Sequence, residues 1–491
     1  MLSATWQLED WQAIADGTAH VEFDDQARDL VKASRANLEA QIANGQPIYG
    51  VNTGFGSLCT TAIDDAELSN LQVNLLRSHA CGIGELCADE VIRLMLVTKA
   101  KSLAKGFSGI RPVLIERLLD LYHQDILPCV PSMGSLGASG DLAPLSHLCL
   151  PLIGEGEVVV DGVRQSAEDA GLSSLALSAK EGLALINGTQ FMLANGLYAA
   201  LEARRVSFFA DLCASLSLLA FEGSSAPFDV RIHEVRQQSG QAMVAQRIRE
   251  ITKDAPKFKH ATQHVQDPYS FRCVPQVHGA SNDAWRHVLS ILLQEAESVT
   301  DNPTVFEDAV ISAGNFHGQP LALSLDFAKL ATAEWGSISE RRVNQMMLSK
   351  RGLPAFLADN PGLENGFMIA QYAAAAVVSR NKQRCTPASA DSIDSSAGQE
   401  DHVSMGANAA TDCLEILNNV WDILGIECMT AMRALRYRNR DAILNEFTLA
   451  MVALYEEAVK PAQGDTITSN EMAASSQFLK SLDIDFSLNF G

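Results

Sequence analysis

Basic side chains are scarce in this chain of 491 residues: 37 Lys and Arg stand against 59 Asp and Glu, a formal net charge of −22. That deficit excludes a general phosphate-backbone binder, because no sequence-independent attraction to nucleic acid is available. Aromatic residues make up only 6% of the chain. No apolar run reaches the roughly 18 residues that a membrane helix needs; LSHLCLPLIG, one of the most apolar stretches, is broken by His, Pro and Gly. The start, MLSATWQLEDWQAIADG, has no basic segment followed by an apolar one, so no signal peptide is expected. The ten cysteines are scattered and none forms a CxxC pair, which predicts reduced, mostly buried thiols and a cytoplasmic protein. There is no HExxH, no phosphate loop and no dinucleotide fingerprint: Gly54-Phe55-Gly56 lacks both the strand and the third glycine. His260 and His264 are spaced for one helix face, but no third ligand accompanies them. Within KDAPKFKH and its surroundings they read as a solvent-exposed pair, and no metal is expected.

What is present is an ordinary globular composition, 47% hydrophobic and 20% charged. The first 45 residues read as helix, with apolar positions at Leu30, Val31, Leu38 and Ile42. Two Gly-rich breaks follow, YGVNTGFGSLCTTA at 49–62 and PSMGSLGASGDL at 131–142, with helical spacing at 65–80 and 88–106. EGEVVVDGV at 155–163 predicts a strand-turn-strand with Asp161-Gly162 as the turn. Helical periodicity over several turns predicts long helices at 193–222, 281–299, 320–350, 367–383 and 405–434, punctuated by Asn302-Pro303 and GNFHGQP at 314–320. The expected fold is mainly α. Residues 1–196 form a mixed N-terminal domain, and residues 197–491 form a long-helix bundle with a C-terminal helical region.

The stretch Gly134-Ser135-Leu136-Gly137-Ala138-Ser139-Gly140-Asp141-Leu142 admits two readings. One is a glycine loop with Asp141 capping a helix. The other is chemical: in a strained loop the amide nitrogen of Gly140 attacks the carbonyl of Ala138. Small residues let the backbone fold onto itself, and glycine has no Cβ to block the approach. Loss of one water on closure and a second from Ser139 leaves a methylidene-imidazolone, an electrophile made from the chain.

GSLGASGDLAPLSH at 134–147 resembles the active-site signature of the aromatic amino acid ammonia-lyases, the family of histidine, phenylalanine and tyrosine ammonia-lyases and related aminomutases. Further matching blocks follow in order: YGVNTGFG at 49–56, RSHACGIGE at 77–85, EGLALINGTQ at 181–190, QDPYSFRC at 266–273, DNP at 301–303, GNFHGQP at 314–320 and QEDHVSMG at 399–406. The resemblance implies loss of ammonia from an aromatic L-amino acid. It implies a 4-methylidene-imidazol-5-one formed autocatalytically from Ala138-Ser139-Gly140, with no external cofactor. Tyr49 is then the loop tyrosine and the general base; a phenol, with its ordinary pKa of about 10, must be lowered for that role. Arg272 pairs with the substrate carboxylate, which a guanidinium binds bidentately. Tyr269 lies beside the ring, Asn187 bonds near ring and carboxylate, Gln266 lines the pocket, and Phe316 packs on the prosthetic group.

His79 and Glu400 bear on the substrate. Ser78-His79 and the Glu of QEDHVSM are the forms seen in histidine lyases, and an imidazole substrate needs both a donor and an acceptor. An apolar phenyl ring would leave them unpaired. On these two residues elimination from L-histidine to trans-urocanate stands first, while RCTPASADSIDSS at 384–396 and VHGA at 277–280 depart from the usual histidine-lyase pattern and keep a tyrosine or phenylalanine lyase as the alternative. A related aminomutase differs in how long product stays in a closed pocket. A scaffold without chemistry is disfavoured by the intact triplet with Tyr49, Tyr269 and Arg272. The partners implied are a small aromatic amino acid and three further copies of the chain, in a homotetramer whose active sites are shared. The ring, the 266–272 segment and the 400 region are expected from different subunits.

Overall fold

The structure, a computed structural model, describes residues 1–44, 48–54, 67–256, 258, 264–461 and 463–483. Among them the fold is mainly helical, with 18 α-helices and short strands in sheets of two or three. The N-terminal segment is two helices, Leu8–Ala15 and Asp25–Ala43, where periodicity alone reads one. Asp16-Gly17 ends the first helix, with Gly17 at φ +70°, and the Asp24 carboxylate starts the second by accepting the Ala27 amide at 3.1 Å. Val31 and Leu38 are buried as the spacing predicts, whereas Leu30 is exposed. The hairpin at 155–163 is present: Glu157–Val160 pairs antiparallel with Val163–Ser166 around Asp161-Gly162, both at positive φ. The long helices are Gln190–Ala220, Val274–Ala296, Gln319–Met347, Met368–Arg384 and Gly406–Leu435.

Two compact units result. One comprises Met1–Leu201, Val288–Asp326 and Pro387–Leu414; the other comprises Glu202–His287, Phe327–Thr386 and Glu415–Gly491. In the first unit, strand Ile83–Leu86 pairs with Pro131–Met133. That pairing sets the end of helix Leu68–His79 beside the start of the glycine loop, where a Cβ on Gly134 would come within 3.0 Å of Gly82 Cα. The second unit is built around large buried side chains, with Phe209 and Trp421 at 5.3 Å and the Trp285 indole N–H donating to Thr332 at 3.0 Å. No described helix is long and apolar enough to cross a membrane.

Candidate active site

The triplet sits on a loop whose backbone is forced into unusual angles. Ser139 has φ +54° and Gly140 φ +79°. A non-glycine residue in the left-handed region costs on the order of 1–2 kcal/mol, so the surroundings must hold it there. They do so with backbone and side-chain contacts. The Gly140 amide donates back to Gly137 O at 3.3 Å, Met405 N donates to Leu136 O at 3.1 Å, and Asp141 N donates to Gly188 O at 2.7 Å. Glycine is required at 140, because a Cβ there would stand 2.1 Å from Gly188 O, and at 137, where it would stand 2.3 Å from the Ser404 hydroxyl. Ala138 and Ser139 are half-buried between the buried Gly137 and Gly140.

Three expected residues meet here within one unit. The Ser139 carbonyl oxygen accepts from Asn187 Nδ2 at 3.2 Å and from the Gly188 amide at 3.5 Å. The Ser139 hydroxyl donates to Glu400 Oε1 at 3.4 Å, and Glu400 Oε2 accepts from Ser395 at 3.2 Å. Asn187 Oδ1 is buried with no partner among the described residues. The contact between Glu400 and Ser139 corrects one expectation: the 400 region and the triplet come together within a single chain, not from different subunits. The stretch 387–405 is tied in place because Asp326 accepts the Ala388 and Ser389 amides at 3.2 and 2.7 Å, and Ser392 accepts Val403 N at 3.0 Å.

The other candidates are distributed. Tyr49 is half-buried in the turn 48–54, anchored by Val51, which packs with Leu38, Leu68, Ala179 and Val305. Residues 55–56 of its block, like Cys59 and His260, lie outside the described residues. His79 ends helix Leu68–His79, its Nδ1 bonding Leu75 O at 2.8 Å. Phe316 is half-buried in the turn before helix Gln319–Met347; the next residue, His317, stacks on His402 at 5.4 Å. Gln266, Tyr269 and Arg272 belong to the second unit. Gln266 is exposed and Tyr269 is 71% exposed. The Arg272 guanidinium lies 4.5 Å over the Tyr269 ring, and its Nε is buried without a hydrogen-bond partner among the described residues. His264 is exposed, and no described cluster of three or more His, Cys, Asp or Glu is placed to hold a metal.

One of the two sequence readings of the loop has Asp141 capping the helix that follows it, and neither reading finds its actual role. Its side chain makes no cap to Leu142–Cys149. Instead Asp141 Oδ2 accepts Met192 N at 2.9 Å, capping helix Gln190–Ala220, while Oδ1 accepts from Ser135 at 3.0 Å. Burial pushes this carboxyl up to about 7, against those hydrogen bonds. Gly188 was also missed as a donor, since a backbone amide carries no signature of its target.

A helical enzyme whose Ala-Ser-Gly turn is held at positive φ, its carbonyl under two donors, is the class these features define. The chain belongs to the aromatic amino acid lyase family, whose model matches residues 6–457. It is 48% identical over 466 residues to a histidine ammonia-lyase from Geobacillus thermodenitrificans, covering 93% of this chain and 92% of that one. It is similar in structure to a histidine ammonia-lyase from Trypanosoma cruzi, with a TM-score of 0.88 and 37% identity, covering 97% and 92% of the two chains. It is also similar to a tyrosine aminomutase from Streptomyces globisporus, with a TM-score of 0.91 and 33% identity, covering 97% and 95%.

Proposed function

We propose that this chain is a histidine ammonia-lyase, converting L-histidine to trans-urocanate and ammonia. The observation that carries the choice of substrate is Glu400, a carboxylate set against Ser139 where an imidazole, unlike a phenyl ring, has a use for it. The identities of 40–49% to histidine ammonia-lyases over most of the chain support the same reading.

The triplet fits the prosthetic group. Closure of the Gly140 nitrogen on the Ala138 carbonyl carbon expels one water, and loss of the Ser139 hydroxyl with its α-hydrogen expels the second. Ser139 and Gly140 already form a tight turn, and residue 140 has no Cβ to obstruct it. Once formed, the group supplies an electrophilic methylidene conjugated to the carbonyl of residue 139. The chain's own residues do the rest. Asn187 and Gly188 hold that carbonyl and polarise it. Arg272 takes the substrate carboxylate, with Tyr269 beneath the guanidinium, and Gln266 lines the pocket. Tyr49, on the turn 48–54, removes the β-proton. His79 and Glu400 read the imidazole, and Phe316 shields the reacting centre from water.

The reading includes a homotetramer in which Gln266, Tyr269 and Arg272 serve the triplet of another subunit, and a cytoplasmic location, the usual compartment for scattered reduced cysteines. Exposure of Tyr269 supports the shared site. So do the exposed apolar pairs Phe327 with Leu330 and Ile369 with Tyr372, one helical turn apart on two long helices, which ask for a covering surface. The deciding experiment measures intact mass and, in parallel, product absorbance with histidine, tyrosine and phenylalanine. A mass short of the sequence by two waters, with urocanate formed fastest, is expected. A full sequence mass in active protein, or faster turnover of tyrosine, would overturn the proposal.

A further inference from the structure

We propose that Lys99 is a positioning residue for this reaction: it polarises the Asn187–Gly188 peptide, so that the Gly188 amide donates more strongly to the carbonyl oxygen of residue 139. The inference rests on the ring assignment above and adds a residue to it.

Lys99 lies on helix Asp89–Ala104, which is buried at every residue from Leu94 onward, and it is itself only 1% exposed. An ammonium in such a place is costly unless it is put to use or paired. The nearby carboxylate Asp301 is engaged by Lys180 at 2.6 Å. Lys99 Nζ instead donates to the backbone carbonyl of Asn187 at 2.7 Å, with Gln190 Oε1 at 3.5 Å. That carbonyl and the Gly188 N–H are the two ends of one peptide group, and the N–H points to Ser139 O at 3.5 Å. The second donor to the same oxygen, Asn187 Nδ2 at 3.2 Å, comes from the same residue.

A cation on a peptide carbonyl draws electron density from its nitrogen, and linked hydrogen bonds reinforce one another at low dielectric. Lys99 therefore acts at one remove on the carbonyl that ring closure conjugates with the methylidene. A stronger donor there leaves the methylidene carbon poorer in electrons. Burial draws the Lys99 ammonium down to about 8; Asp301, Cys149 and Asp141 oppose the shift and Lys180 adds to it, so the group is cationic at neutral pH.

The test uses full-length Lys99→Met and Lys99→Arg, with intact mass, kcat and KM on histidine, and the rate of inactivation by borohydride. Borohydride delivers hydride to the methylidene carbon and water supplies the proton, so this rate reads electrophilicity without any substrate contact. In Lys99→Met, kcat and the borohydride rate should both fall about tenfold, less than loss of a direct oxyanion donor, while KM changes by less than about twofold. The mass stays short by two waters, and Lys99→Arg recovers most of both rates. Lys99→Gln serves in place of Lys99→Met if the latter does not fold. The proposal is overturned by a variant that keeps both wild-type rates, by one that loses kcat at an unchanged borohydride rate, or by one that retains the full sequence mass. Wild-type protein of full sequence mass would bring down the ring assignment itself, which the first measurement reveals separately.

Discussion

Residue by residue, the proposed chemistry is most legible where the chain itself would be the reagent. Ala138-Ser139-Gly140 announces small side chains at the positions a backbone ring needs, and the structure adds the positive φ that presents them. Lys99 was hidden for the opposite reason. In VTKAKSLAKG it reads as a solvated helix lysine, and only three-dimensional packing buries it against residue 187. The role of Asp141 was illegible because capping signals are local, whereas its partner is the amide of Met192, brought close by the fold. At this scale Glu400→Gln gives a sharp expectation. It keeps the shape beside Ser139 but removes the charge offered to an imidazole, leaving a buried polar group imperfectly paired at about 1–3 kcal/mol. The specificity constant for histidine should fall roughly 5- to 150-fold, with that for phenylalanine much less affected. Parallel assays check this, and an equal loss on both substrates would sink the role.

Among the elements, long helices with unbroken periodicity were read to within a turn or so at most ends, and the Asp161-Gly162 hairpin was read through its turn chemistry. Helix Val274–Ala296 begins earlier than its periodicity suggested, because VPQVHGA carries a proline and a glycine. The proline is tolerated in the first turn. Gly279 is there because a Cβ would meet Gln241 N at 2.3 Å, so two helices touch backbone to backbone. The pairing of Ile83–Leu86 with Pro131–Met133 was illegible, since both strands are short and one is exposed throughout. His278, the unusual residue of VHGA, joins three helices: its Nδ1 bonds Asp211 Oδ1 at 2.6 Å, and Arg247 bonds Asp211 Oδ2 at 2.6 Å. All three side chains are buried. Burial lowers the His278 pKa, with Arg342 adding and Asp211 and Glu427 opposing. The folded state therefore refuses a proton that the unfolded chain accepts at about 6.5, so this stability is complete above that pH and is lost as pH falls below it. His278→Gln keeps a donor for Asp211 without titrating. Denaturant unfolding between pH 7.5 and pH 5 should show its stability falling less steeply with acid, by up to about one bound proton; identical slopes would contradict the assignment.

For the molecule as a whole, the mainly helical class was legible, whereas the composition of its compact units was not. Periodicity is local, but the first unit gathers Met1–Leu201, Val288–Asp326 and Pro387–Leu414 from distant parts of the chain. The proposed sharing of sites between subunits has a direct test. Ser139→Ala and Arg272→Met chains should each be inactive alone. Co-expressed, they assort into tetramers in which about a quarter of the sites combine an intact triplet with an intact arginine. Activity restored to that extent is expected; mixed tetramers without activity would refute the sharing. The clamp on the triplet has a consequence in time as well as in space. Ser404 and Met405 secure Gly137 and Leu136, so the turn cannot be held in its reactive shape until residues far downstream have been synthesised and packed. On the proposed ring assignment the electrophile appears only after those residues have packed: a nascent chain stalled on the ribosome before residue 400 should carry both waters, and a half-made enzyme would expose no reactive group to the cell.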